Sequence, residues 1–106
     1  MTDKTVVLST CESEAQAATI ARALVDQRLA ACVNVVPQIG SIYRWQGAVE
    51  DAQEWLLIIK TRLDLLKDVE EAIAKLHTYS VPEVIALPIL GGSEAYLGWL
   101  AKETGS

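Results

Sequence analysis

The chain has 106 residues, enough for one domain around a single core. With 51% apolar and only 22% charged residues, it can fill that core and still leave apolar surface for a subunit interface. A net charge of −5 without a basic cluster excludes nucleic acid and anionic membranes as partners, and no apolar run reaches the roughly 20 residues that span a bilayer.

Thr5–Cys11 reads as a short apolar strand. Ser13 with Gln16 three residues on is a capping box that starts a helix. Ala17, Ile20, Ala21 and Leu24 form its apolar stripe, and Arg28 is expected in its last turn, where positive charge suits the helix dipole. From Arg28 to Gly47 the sequence RLAACVNVVPQIGSIYRWQG reads as an unusually long strand, rich in β-branched and aromatic residues. Pro37 and Gly40 interrupt it as a bulge or bend would. Gln53–Thr61 is the return strand, joined to the first across Gln46–Ala52. Such a ribbon overhangs a small domain and exposes apolar residues and unpaired edges, which predicts oligomerisation.

Asp64 is expected to cap a second helix with Leu65, Val69, Ile73 and Leu76 as its stripe and Glu71–Lys75 as a solvent-side pair. Pro82 prevents its continuation. Val84–Leu90 reads as a strand with near-continuous burial, and Pro88 places it at a sheet edge or a bulge. Gly91–Gly92 makes a turn, Ser93 caps a terminal helix carrying Tyr96, Leu97 and Leu100, and Thr104–Ser106 is expected to fray. The order β-α-β-β-α-β-α is that of an α+β ferredoxin-like split βαβ sandwich with one added helix, in one domain spanning 1–106. Two helices should cover one face of an antiparallel sheet, leaving the other for a further copy of the chain.

Cys11 and Cys32 are the only cysteines and form no CxxC pair, so neither a zinc knuckle nor a thioredoxin-type motif is supported. The start MTDKTVVLST lacks the basic and long apolar regions of a signal peptide, so the chain is expected in the cytoplasm with free thiols. There is no GxSxG elbow, P-loop, HExxH or GxGxxG, and no catalytic residue or organic cofactor is assigned.

Four blocks carry a resemblance: Arg28–Gly47, Leu56–Thr61 (LLIIKT), Leu76–Ile89 (LHTYSVPEVIALPI) and Gly92–Leu100 (GSEAYLGWL). Together they resemble the CutA family, the divalent-cation tolerance proteins, over nearly the whole chain. The resemblance implies a ferredoxin-like subunit in a homotrimer similar to the PII proteins, and binding of divalent ions of the copper or zinc class. In the family's HxYxxPE block the His and Glu are proposed metal ligands, which correspond here to His77 and Glu83. His77 is the only histidine of the chain, and a neutral imidazole suits copper and zinc. The bland alternative is a histidine that closes a helix C-terminus. Some relatives carry a first-strand cysteine at the position of Ser9. Here Cys11 stands two places on, on the same face but roughly 7 Å along the strand, as a possible third ligand. Thr78 replaces the proline usual after this histidine, which predicts a looser turn.

A second constellation is a cleft of Lys60, Tyr79, Trp45 and Tyr43, where a cation beside aromatic rings would suit a small anionic ligand at a subunit boundary. The alternative is that Lys60 snorkels while Tyr43 and Trp45 pack against another subunit. A third reading is a rigid scaffold without a ligand.

Overall fold

A computed structural model describes residues 1–105. Its elements are β1 (Lys4–Cys11), α1 (Glu14–Asp26), β2 (Cys32–Trp45), β3 (Ala48–Arg62), α2 (Leu66–Leu76), β4 (Ile85–Pro88) and α3 (Glu94–Glu103), with one 3₁₀ turn at Leu63–Leu65. The strands form one sheet in the order β2-β3-β1-β4, every neighbour antiparallel. This is the α+β split βαβ arrangement with a third helix appended.

Alternation along the strands decides which face is covered. Thr5, Val7, Ser9 and Cys11 of β1 and Leu57, Ile59 and Thr61 of β3 are buried. Ala17, Ile20 and Leu24 of α1 and Val69 and Ile73 of α2 pack on that side. The intervening Leu8 and Ile58 pair with each other, as do Val6 and Lys60, on the opposite face, where they are only half-buried. β4 is the short edge strand that Pro88 predicts, but its outer residues Ile85 and Leu87 are exposed rather than buried. The expected continuous burial fails because the single chain covers only one face.

The ribbon is longer than its sequence suggests. The return strand starts at Ala48 rather than Gln53, so the connection is only Gln46–Gly47. Both turn residues have positive φ (51° and 85°), as a type I′ hairpin requires. Pairing with β2 holds the polar stretch Glu50–Gln53 extended, which local propensity alone reads as a loop. The interruption lies at Pro37–Gln38: between Val36↔Leu56 and Ile39↔Glu54, two residues of β2 oppose Trp55 alone, and Gln38 takes φ 56°. Gly40 pairs regularly with Gln53.

Helix ends follow the sequence in part. Ser13 Oγ accepts from Gln16 N at 3.1 Å, but the Gln16 side chain donates to Leu76 O at 2.9 Å, so half of the capping box becomes a tie between α1 and α2. Ser93 caps α3 as expected. Asp64 does not cap α2: it lies in the 3₁₀ turn and pairs with Arg62 at 3.5 Å. Arg28 lies beyond α1 with φ 58°, and its guanidinium donates to Glu103 O at 3.3 Å, anchoring the end of α3. Thr104 is buried and donates to Leu100 O at 2.8 Å, so it is ordered where fraying was expected; Ser106 lies outside the described residues.

Candidate functional site

The chain from His77 to Glu83 leaves α2 and passes the end of β1 on its way to β4. Three side chains fasten it. His77 closes α2 with its backbone N–H on Ile73 O at 2.8 Å, and its Nε2 lies 2.6 Å from Thr10 O. Tyr79 N donates to His77 Nδ1 at 3.0 Å, so Nδ1 carries no proton and Nε2–H is the donor to Thr10. Thr78 Oγ1 donates to Glu12 Oε1 at 2.9 Å, which ties down the turn that loss of proline was expected to loosen. Tyr79 OH donates to Glu54 Oε2 at 2.7 Å, bridging this loop to β3. The His77 and Tyr79 rings lie 4.5 Å apart between centroids.

Between this loop and the ribbon opens a cleft of about 710 Å³, within the size range of small-ligand sites. Thr10, Tyr43, Trp45, Glu54, Tyr79 and Glu83 line it, together with apolar residues of β2 and β3. Two carboxylates stand in this wall, and no Lys, Arg or His does among the described residues. Glu54 is only 5% exposed, and its Oε1 makes no hydrogen bond among the described residues. Burial pushes the Tyr79 phenol well above its ordinary range, and its hydrogen bond to Glu54 adds to this. Tyr79 is therefore a fixed donor at neutral pH.

The expected ligands do not converge. Glu83 is exposed at the cleft. His77 has both ring nitrogens engaged. Cys11 is fully buried with the core, and burial, then the charges of Glu54 and Glu12, push its thiol up to about 11, so it is no thiolate at neutral pH. Ser9 is buried on the same face with its hydroxyl unpartnered. No group of three or more His, Cys, Asp or Glu side chains is placed to hold a metal ion among the described residues. Of the second constellation, Tyr43, Trp45 and Tyr79 share the cleft, while Lys60 lies away from it beside Cys32 and donates to Asn34 Oδ1. The charge at the cleft is thus acidic. Sequence reasoning missed Glu54; a carboxylate opening the apolar run WLLII was its one signal.

The family model for the CutA1 divalent ion tolerance protein matches residues 5–103. A divalent-cation tolerance protein CutA from Thermus thermophilus is 54% identical over 94% of this chain and 97% of its own length. The chloroplastic protein CutA of Arabidopsis thaliana is 54% identical over 80% of the chain, which spans 47% of that longer protein. Among solved structures, the divalent cation tolerance protein from Thermus thermophilus superposes with a TM-score of 0.94 at 53% identity, covering 96% of this chain and 99% of that one. The chain belongs to the CutA1 divalent ion tolerance family.

Proposed function

We propose that this chain serves divalent-cation tolerance by binding cations, without catalysis, at the cleft between the ribbon and the 77–83 loop. The observation that carries this reading is Glu54: a nearly buried carboxylate with one free oxygen, in a wall that also holds Glu83 and no basic side chain among the described residues. Carboxylate oxygens suit divalent ions. Glu54 and Glu83 supply two donors, leaving further positions to water or to a second copy of the chain. His77 orients the loop through Thr10 and Tyr79 rather than ligating directly. The fit to a copper- or zinc-type nitrogen and sulfur site is poor in the single chain, so Glu54 and Glu83 replace His77 and Cys11 as the expected determinants.

The proposal includes self-assembly, in the cytoplasm, with no nucleic acid or membrane partner. Support comes from the uncovered face with Ile85 and Leu87, and from a ribbon whose Ile42 and Val49 are 75% and 63% exposed. The number three rests on the resemblance to trimeric, PII-like proteins. No helix among the described residues is long and apolar enough to cross a membrane.

Calorimetric titration with copper(II), zinc and calcium, in chelator-free buffer, tests the cleft. Saturable binding lost in both Glu54→Gln and Glu83→Gln is expected; no binding, or binding indifferent to both, overturns the reading. Light scattering should give one species of about three chain masses, and Ile42→Asp should dissociate it. A concentration-independent monomer would reject the assembly.

A further inference from the structure

Trp45 carries no metal donor and Tyr79 spends its hydroxyl on Glu54, yet with Tyr43 they form much of the wall around Glu54 and Glu83. Aromatic faces attract cations that carry their charge on alkylated nitrogen, because such ions are weakly hydrated and polarise the ring's negative face. A bare divalent ion, by contrast, seeks oxygens and water. We propose that the cleft binds an organic ammonium ion, of the quaternary ammonium or polyamine class, with Trp45 and Tyr43 as aromatic walls and Glu54 and Glu83 as counter-charges. The proposal deepens the cation-binding reading above and rests on it for the location of the site.

Three observations converge on it. The cavity of about 710 Å³ exceeds what one metal ion needs and suits a small organic molecule. Glu54 is more than nine-tenths buried, its Oε2 is held by Tyr79, and its Oε1 makes no hydrogen bond among the described residues, so one carboxylate oxygen of the wall stays available to a cationic partner. Tyr79 is locked by Glu54 on its hydroxyl and by the His77 ring at 4.5 Å, so one wall is already fixed before a ligand arrives. In the single chain Trp45 and Tyr43 are 42% and 43% exposed.

The test is calorimetric titration of the assembled full chain with tetramethylammonium chloride and with spermidine, against sodium chloride at matched ionic strength and against copper(II). Saturable ammonium binding in the millimolar range or tighter is expected. Trp45→Leu should weaken it about three- to tenfold, and Trp45→Phe should restore most of it. Tyr43→Leu repeats the test should Trp45→Leu fail to fold, as judged by circular dichroism. Ammonium binding that is absent, or equal in wild type and both leucine variants, overturns the proposal. Metal binding that fails while ammonium binding persists overturns only the divalent-ion reading.

Discussion

Ile59 and Ile42 belong to the two strands of one ribbon, yet Ile59 is sealed between sheet and helices while Ile42 is 75% exposed. In the basal half, β1 and β4 continue the sheet and α1 and α2 cover one face, so alternate side chains reach a common core. Beyond Trp55 the strand β1 has ended, and β2 and β3 run on with only each other. A two-stranded ribbon is marginal alone in water, whatever its propensities. The contrast teaches that the basal half is held by a shared core, while the distal half of this chain is held chiefly by the pairing of two strands. The cleft lies where one regime passes into the other.

The largest way to sharpen this contrast is a paired truncation. Ile73→Ala, in the core, should cost about 2–5 kcal/mol by urea denaturation, whereas Ile42→Ala should leave the stability of the dissociated chain nearly unchanged. Equal losses would mean that the ribbon is as well packed as the base. Next in size is a pH effect at the seam. The Cys11 thiol loses its proton near 9.0 when unfolded and near about 11 when folded. The folded state therefore holds the proton more tightly, and stability falls as pH rises across that window. Cys11→Ala should flatten this decline; an unchanged slope would show that the thiol lies outside the dry core.

A smaller effect is expected at the bridge between the two halves. Tyr79→Phe leaves the Glu54 carboxylate without its phenolic donor and should cost about 1–3 kcal/mol, as well as loosening the 77–83 loop in hydrogen exchange. The smallest is a comparison of helix starts. Ser13→Ala should cost about 1 kcal/mol, because a real cap is lost. Asp64→Ala should stay within about 0.5 kcal/mol, because the Asp64 carboxylate is exposed in its pair with Arg62 and caps nothing. Equal effects would mean that Asp64 caps α2 in solution.

These pairs also mark what the sequence makes legible. Periodicity gives every helix and strand, because local alternation and the 3.6-residue stripe report burial directly. Pro88 reveals the edge strand because a missing N–H is tolerated there. Glu50 and Asp51 hide the start of β3, since only pairing with Tyr43 and Ile42 makes them extended. Asp64 misleads because a cap is recognised by geometry, not by residue type alone. At the site, His77, Tyr79 and Glu83 are legible as one contiguous block. Glu54 is not, since it meets Tyr79 across 25 positions of sequence. That both ring nitrogens of His77 are engaged also depends on Thr10 and the Tyr79 amide, and no spacing encodes that.

The bulge at Pro37–Gln38 has a consequence for how this ribbon can change. Because side chains alternate, the extra residue in β2 decides which set of odd or even positions meets each face of the distal half. It places Ile39, Tyr43 and Trp45 in the same rank as Glu54, opposite Glu54, Glu50 and Ala48, rather than Gly40, Ile42 and Arg44. Pairing the same residues without the bulge would transpose the two sets along the whole tip, bringing the Arg44 guanidinium opposite Ala48, where the Trp45 indole now stands, and reversing the charge balance of the cleft. Losing Gln38 together with the bulge would keep Ile39 opposite Glu54 and the wall of the cleft intact, whereas losing the bulge alone would not. The backbone at Gln38 acts as a reading frame for the site, although its own side chain takes no part in it.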